Sequence, residues 1–277
     1  MVAERLLIIS ALMFTTILFA LAPAIPEAAP APAPPLALDP SVLALTQDEG
    51  ADEMVDPKWT GSVALGATFT SGNTETQAYN ADANAELRRD VDRWTWKAFW
   101  NYATDRATGD EVVTARKAGT SLQYDHFLNE AETTYVYGIG SVEHDSLAEL
   151  DMRAILGAGA GYQFYEEPDF DLSGEFGLNY IVEDFSTDTK DDYIAARLAA
   201  NLRKVLSEAT TFTSSAEVYP SLEEADDVNA KWDSKLKSSL TESMFTSLQY
   251  VLDFDNTPSG GAERVDQRIV FALGWSF

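Results

Sequence analysis

Residues 265–277 have the sequence VDQRIVFALGWSF, in which apolar side chains recur at alternate positions. Successive side chains of a β-strand point to opposite faces, so a period of two predicts a strand with one apolar face. The apolar parity carries Val265, Ile269, Phe271, Leu273, Trp275 and Phe277. The other parity carries Asp266, Arg268, Val270, Ala272 and Gly274. The stretch therefore predicts a strand between an apolar and a more polar environment.

The same alternation recurs from Trp59 to the C-terminus, in about twelve segments that are mostly 11 to 15 residues long. These segments are 59–70, 74–88, 94–104, 112–124, 132–143, 150–165, 169–183, 193–206, 210–220, 229–240, 244–254 and 264–277. Their lengths match tilted strands that cross a bilayer. Short connections alternate with longer ones, as in outer-membrane barrels. The sequence predicts an all-β, transmembrane, antiparallel up-and-down β-barrel of about 12 strands over residues 59–277.

A soluble β-protein, such as a lipocalin-like barrel or a sandwich, is the alternative, because alternation does not say which face points inward. Long strands, polar residues at nearly every second position and a terminal aromatic residue favour the membrane barrel. No run of 18 apolar residues follows Trp59, so the sequence predicts no further membrane-spanning helix there.

The composition limits the classes of function. The chain has 19 Lys and Arg against 45 Asp and Glu, for a net charge of −26, which argues against a nucleic-acid partner. It has no cysteine and two histidines, and we expect neither a cofactor nor a transition-metal site. The predicted longer loops are acidic. A solvated acidic rim is favoured over weak calcium or magnesium binding.

The N-terminus predicts export. Residues 6–21 are almost wholly apolar and precede Ala22-Pro23-Ala24, so residues 1–24 are predicted to be a cleaved signal peptide. An uncleaved membrane anchor is the alternative. Residues 25–58 are Ala/Pro-rich and then acidic, which predicts a linker, with a short plug or periplasmic arm over 41–58 as the alternative. We therefore expect the protein in the cell outer membrane.

Five short motifs, in order, resemble the domain-of-unknown-function 481 family, also called the salt-induced outer-membrane protein family. They are Trp59-x-Gly61; Gly66 with Thr70-Ser71-Gly72-Asn73-Thr74; Tyr124-Asp125-x-Phe127-Leu128; Leu150-x-x-Arg153 with Gly157-x-Gly159-x-Gly161-Tyr162; and Glu175-x-Gly177-x-x-Tyr180. The resemblance covers about residues 59–277 and implies a Gram-negative outer-membrane barrel with no established activity. The terminal Phe277, with Trp275 before it, resembles the signal that the barrel-assembly machinery recognises.

Residues 156–164, LGAGAGYQF, place three glycines at a spacing of two. A dinucleotide-binding loop needs a different glycine spacing at a strand-to-helix turn, so the glycines are expected on one face of a strand. We predict that glycines of strands four to seven line the lumen: Gly119, Gly138, Gly140, Gly157, Gly159, Gly161 and Gly177. They either relieve crowding in a narrow barrel, which is favoured, or leave a smooth passage or plug groove.

Charged residues of both signs are also expected in the lumen. The predicted lining residues are Arg153, Glu175, Arg197, Glu217, Lys231, Asp233 and Arg268. A closed network of ion pairs that fills the lumen is favoured over a lining that determines the selectivity of a pore.

Two outer-surface features complete the set. Arg116 lies on the lipid-facing parity, where either a bulge shifts the register or the side chain sits at the outer interface and reaches lipopolysaccharide phosphates. His144-Asp145-Ser146 has the His-x-Ser spacing of the outer-membrane phospholipase, but the Asn-Gly that follows in that enzyme is Leu147-Ala148 here. We therefore predict no enzyme activity and no catalytic residue.

The predicted role is envelope integrity or stress adaptation, with a narrow solute or ion pore as the specific possibility. A non-conducting structural or ligand-binding barrel is the alternative, and an outer-membrane lipid hydrolase ranks third. The expected partners are outer-membrane lipid, lipopolysaccharide and the barrel-assembly machinery.

Overall fold

The computed structural model describes residues 58–70, 75–106, 110–186, 190–224, 226–258 and 263–277. The predicted signal peptide over 1–24 and the linker over 25–58, except for Lys58, lie outside these described residues. Every regular element within the described ranges is a β-strand. No helix in that part of the chain is long and apolar enough to cross a membrane.

Twelve strands follow one another in chain order, and their ends fall within about three residues of the predicted segments. The strands are β1 (Trp59–Thr70), β2 (Thr76–Arg89), β3 (Asp92–Asp105), β4 (Val112–Phe127), β5 (Thr134–Asp145), β6 (Leu150–Glu166), β7 (Phe170–Phe185), β8 (Lys190–Ser207), β9 (Thr210–Pro220), β10 (Val228–Ser239), β11 (Met244–Asp255) and β12 (Val265–Ser276).

Each strand pairs with the next one along the chain, and β12 returns to β1, so the sheet is a closed barrel. The pairings are antiparallel throughout. One end of the barrel carries the short connections, such as residues 90–91 and 208–209, and is called the turn end here. The other end, which carries connections such as residues 221–227 and 256–264, is called the loop end. Closure joins the two edge strands, as a strand structure in lipid requires, through a β1–β12 ladder of four residue pairs.

Burial shows which face of the sheet is inside. Large apolar side chains are exposed on the exterior, with Leu156 71%, Ile269 73% and Phe271 66% accessible. The interior holds buried polar residues, of which Arg197 is 2% and Asp125 is 1% accessible. A soluble barrel would have the opposite arrangement, because water would solvate its outer face. The apolar exterior and polar interior are those of a transmembrane barrel.

The exterior also carries aromatic side chains near both ends of the strands. Trp100 stacks on Tyr102 with ring centroids 6.1 Å apart, and Phe69 contacts Tyr79 edge-on at 5.6 Å. Toward the turn end, Trp94 packs against Tyr124 at 4.7 Å. Rings in such positions are typical of the girdles at the two membrane interfaces.

Candidate functional site: the charged interior of the barrel

The ladder register determines which predicted residues face the lumen. Tyr137 pairs with Gly159, Gly159 with Gly177, and Gly177 with Arg197, so these side-chain positions share one face of the sheet. Arg197 is almost fully buried, which identifies this face as the interior. The same alternation places these predicted residues on the lumen side: Gly119, Gly157, Gly161, Arg153, Glu175, Glu217, Lys231, Asp233 and Arg268.

Gly138 and Gly140 do not line the lumen, so the prediction for β5 is wrong. They pair with Ala158 and Leu156, which are on the exterior parity, and nothing lies within 4 Å of a Cβ built at either glycine. The inward parity of β5 carries Tyr135 and Tyr137 instead, and both are buried. Inward-facing glycines on β5 would have put these two rings in lipid, whereas the rings in fact lie against the lumen glycines of β6 and β7.

The glycine wall of β6 and β7 is covered by side chains and is not a smooth passage. A Cβ at Gly161 would overlap the ring of Tyr135, and one at Gly177 would overlap the hydroxyl of Tyr137. At Gly159 a Cβ would overlap the carbonyl oxygen of Phe176. The glycines are therefore required by close packing, which supports relief of crowding over an open path.

Two further lumen glycines are covered in the same way. The side chain of Asn179 occupies the space beside Gly157, and the ring of Phe99 lies 2.7 Å from a Cβ built at Gly119. Rings and an amide thus fill the volume that glycine leaves free on β4 and β6.

At the turn-end side of this wall, level with Gly161, charged and polar groups converge on Glu175. Its carboxylate accepts hydrogen bonds from Arg197 at 2.5 Å, from the Tyr135 hydroxyl at 2.9 Å and from the Gln123 amide at 2.9 Å. Arg197 also donates to Glu217 at 3.1 Å. We call these five residues the turn-side cluster. Its ions are buried but share hydrogen bonds, which is the condition under which buried charges are tolerated.

The turn-side cluster extends to the turn end of the barrel. Gln123 also donates to Asp125 at 2.8 Å, and Arg93 pairs with Asp125 at 2.7 Å. Arg88 lies over the Phe127 ring, 4.5 Å from its centroid, and pairs with Glu132 and Glu166. Cations, carboxylates and rings therefore occupy the interior down to the rim.

A second group of ions lies nearer the loop end. Glu143 pairs with Lys117 at 3.1 Å and with Lys231 at 3.2 Å. Asp253 pairs with Lys117 at 3.3 Å and with Arg268 at 3.2 Å. We call these five residues the loop-side cluster. Arg153 borders it, pairing with Glu183 at 2.5 Å and with Asp255 at 3.8 Å.

Several of these ion pairs cross the lumen. Lys117 is on β4 and Asp253 is on β11, with β3, β2, β1 and β12 between them on the shorter path around the barrel. Lys231 on β10 reaches Glu143 on β5, and Arg153 on β6 reaches Asp255 on β11. Each contact joins nearly opposite walls, so the network crosses the interior at this level.

One predicted lining residue, Asp233, belongs to neither of the two clusters. It accepts a hydrogen bond from the amide of Gln249 at 2.6 Å on the adjacent strand. The prediction omitted Glu143, Glu183 and Asp253, although each is central or adjacent to the network. Glu143 points to the same side of β5 as Ser141, Tyr137 and Tyr135. Had the charged residue been used to choose the inward side of β5, instead of the aromatic residues, the strand would have been oriented correctly.

The His-x-Ser motif lies on the outer face at the loop end. His144 pairs with Ala118, which is on the exterior parity, and its Nε2 lies 2.8 Å from Ser146 Oγ. The Nδ1 atom lies 2.9 Å from the carbonyl oxygen of Asp151, which only accepts, so Nδ1 carries the proton and Ser146 donates to Nε2 in the neutral ring.

The amides beside this pair are engaged elsewhere. Ser146 N–H donates to the carbonyl of Arg116 at 3.0 Å, and Leu147 N–H donates to the Asp145 carboxylate at 3.1 Å. Ala148 N–H is directed to the same carboxylate at 3.4 Å. A serine nucleophile needs free donors for its oxyanion, and these three amides do not supply them.

Carboxylates gather at the loop end. Burial raises the pKa of Asp227, in the connection before β10, and nearby Asp255 raises it further, although Thr257 donates a hydrogen bond at 2.8 Å. In the part of the chain that the structure describes, no group of three or more His, Asp or Glu side chains is arranged to hold a metal.

Fold and interior together define a class: an outer-membrane-type β-barrel of twelve strands whose lumen is crossed by ion pairs. The model of the family described as "Protein of unknown function, DUF481" matches residues 63–277. The chain therefore belongs to this family, as the sequence motifs indicated.

Comparison with known proteins gives one relative and several structures. The uncharacterized protein YdiY of Escherichia coli (strain K12) is 22% identical over 217 residues, covering 78% of this chain and 82% of YdiY. The NanC porin is 10% identical, with a TM-score of 0.47 and coverage of 79% of this chain and 98% of that one. A Pseudomonas putida F1 outer membrane channel is 11% identical, with a TM-score of 0.45 and coverage of 79% and 95%.

Proposed function

We propose that this protein is a closed barrel of the outer membrane that serves envelope integrity or stress adaptation, and that it is not a constitutively open porin. The observation that carries the proposal is the loop-side cluster, in which Lys117 and Lys231 bind carboxylates on opposite walls. A charged side chain held by two walls blocks the central path and ties the walls together. The turn-side cluster and the tyrosines above Gly159 and Gly161 add further obstructions.

The proposed orientation places the turn end in the periplasm and the loop end outside the cell. It rests on the short-turn and long-loop asymmetry that such barrels share, together with the predicted periplasmic N-terminus. Recognition of Phe277 by the barrel-assembly machinery remains part of the proposal. Its backbone N–H and C=O each pair with Gly61 at 3.0 Å, so this residue also joins the two ends of the sheet.

A narrow ion pore is the second candidate, and partial exposure of the loop-side cluster favours it. The Lys231 side chain is 37% accessible and that of Arg268 is 28% accessible, so solvent reaches these ions. An ion could then pass only if the cross-lumen pairs separate. This candidate differs from the first in a measurable way, because it requires discrete conductance.

The test is single-channel conductance of the refolded protein in planar bilayers. We expect the native chain to be silent and the double variant Glu143→Gln, Asp253→Asn to give discrete openings, because it removes the negative charges that hold Lys117 and Lys231 across the lumen. The matched control is Asp226→Asn, in the exposed loop-end connection, which should remain silent. Folding is checked by heat-modifiable gel mobility.

Discrete steps from the folded native chain would overturn the closed-barrel proposal and establish the pore. Silence of both the native chain and the double variant would retain the closed barrel and move the obstruction to the turn-side cluster. If the control variant Asp226→Asn opened as often as the double variant, loss of any acidic charge would be enough to open the barrel. That result would contradict the role given to the loop-side cluster.

A further inference from the structure

Arg116 is a cation on the outer wall of the barrel. It pairs with Tyr102, which is on the exterior parity of β3, while the neighbouring Lys117 points into the loop-side cluster. The Arg116 side chain is exposed. The one register shift between β3 and β4 lies at Ala103/Thr104, beyond this pair, so no bulge turns the arginine inward.

The surroundings of Arg116 are those of a membrane interface. Its guanidinium carbon lies 5.9 Å from the centroid of the Tyr102 ring, and Tyr102 stacks on Trp100. Among the ion pairs of the described residues none involves Arg116, whereas Arg106 nearby pairs with Glu111. The guanidinium is thus oriented by a ring, and no side-chain hydrogen bond to another described residue occupies its donors.

Hydrogen-bonding groups lie beside it at the same level. The Arg116 carbonyl accepts the Ser146 N–H, so the arginine lies level with the turn after β5. His144 is on the same face, diagonally across the β4–β5 ladder, and shares a hydrogen bond with Ser146. Arg116 therefore lies at the loop-end edge of the apolar wall, where the neighbouring His144 and Ser146 are bonded to each other and His144 is bonded to the Asp151 carbonyl.

We propose that Arg116, oriented by Tyr102, binds a phosphate group of a phosphorylated glycolipid in the outer leaflet, that is, the lipid A part of lipopolysaccharide. A guanidinium matches phosphate with two parallel, charge-assisted hydrogen bonds. Acyl chains of the same lipid contact the apolar wall below. The proposal is independent of whether the lumen conducts.

The loop end is acidic, and this strengthens the argument for a specific contact. With a chain charge of −26, long-range attraction does not bring a phosphorylated lipid to this surface. Glu149 is exposed in the turn beside Ser146, so a divalent cation offers a second way to bridge phosphate. If the divalent cations are removed, only direct binding of phosphate by Arg116 remains, so the two modes of binding can be distinguished.

The test measures binding of purified, refolded protein to bis-phosphorylated lipid A and to the same lipid after dephosphorylation, with excess EDTA. We expect Arg116→Gln to weaken binding of the phosphorylated lipid about tenfold or more, the size expected for a lost hydrogen bond to a charged group. Binding of the dephosphorylated lipid should not change. The matched control is Arg89→Gln, an exposed arginine at the turn end, which should bind like the native chain.

Equal affinity of native and Arg116→Gln protein for phosphorylated lipid A would overturn the proposal. An equal loss in Arg89→Gln would overturn it as well, since it would show an unspecific effect of positive charge. Displacement of the lipid by millimolar inorganic phosphate would point to a free-anion site instead. Heat-modifiable mobility of each variant verifies that a loss of binding is not a loss of folding.

Discussion

The wall formed by β5, β6 and β7 and the seam between β12 and β1 are built in different ways. The β6–β7 ladder runs from Leu150–Phe185 to Glu166–Asp171, with tyrosine rings from β5 seated on its glycines. At the seam, the ladder has four pairs, from Ser62–Ser276 to Leu65–Leu273, extended by the Gly61–Phe277 hydrogen bonds. Within the described strands, no registered pair continues past Leu65.

The difference concerns how each region is stabilised. The wall combines a long backbone ladder with interior packing and a buried ion pair, so its stability comes from the lumen as well as from the sheet. The seam depends on a short ladder at the turn end and on a small apolar cluster behind it, formed by Ala64, Phe245, Val270 and Ala272. We therefore expect the wall to be sensitive to changes in lumen side chains and the seam to changes in strand pairing.

The largest expected effect is at Arg197. Its guanidinium lies 5.1 Å from the centroid of the Tyr137 ring and pairs with Glu175 and Glu217. Arg197→Met leaves both carboxylates without this partner, and removal of one member of a buried ion pair costs about 3–5 kcal/mol. Equilibrium unfolding in lipid vesicles with guanidinium chloride measures the loss.

The control for Arg197 lies beside the seam. Arg268→Met removes a more exposed cation that pairs with Asp253, which keeps Lys117 as a partner. We expect a smaller loss of stability than for Arg197→Met. Equal losses in the two variants would contradict the view that the wall depends more strongly on its lumen ions.

The second prediction compares two glycines on neighbouring strands. Gly159→Val places atoms against the Phe176 carbonyl and the Cα of Gly177, and overpacking of this kind costs about 1–3 kcal/mol. Gly138→Val, on the exterior, meets open space and gains a residue that favours strands. The same unfolding measurement should show a large loss for the first and little or none for the second.

A stable Gly159→Val variant would mean that the β6 and β7 backbones separate at this pair to admit the side chain, and would contradict the close packing of this wall.

The smallest expected effect concerns the seam itself. The chain has no cysteine, so a disulfide between two introduced cysteines reports on the contact between those two positions alone. Leu65→Cys with Leu273→Cys occupies the last registered pair, whereas Phe69→Cys with Ile269→Cys lies four residues further along each strand. Oxidative cross-linking followed on gels should be several-fold faster for the first pair, since a disulfide needs Cβ atoms about 4 Å apart. Equal rates would show that the seam is paired along its whole length.

Much of the fold follows from sequence alone. The period-two alternation predicts all twelve strands, since a strand with one side in lipid and the other in a polar interior must alternate. Connection lengths and closure follow from the same count. Alternation does not decide which side of β5 faces inward. Aromatic side chains can lie at a lipid interface or pack against glycines in the lumen.

Part of the candidate site also follows from the sequence, and part does not. Parity places Arg153, Glu175, Arg197, Glu217, Lys231 and Arg268 on the lumen side, where the structure also has them. No feature of the sequence pairs Lys231 with Glu143 or Lys117 with Asp253. Those pairs join strands that are distant around the ring, so they depend on barrel diameter and strand stagger.

The sequence by itself determined that this protein is a twelve-strand membrane barrel with a charged, glycine-rich interior, because hydrophobic periodicity is local and repeats in each strand. The tertiary structure alone decided that Tyr135 and Tyr137 cover the glycines and that ion pairs cross the lumen. It also left Arg116 outside, unpaired among the described ions. These outcomes depend on which walls face each other, and a closed sheet specifies that only when all twelve strands are in register.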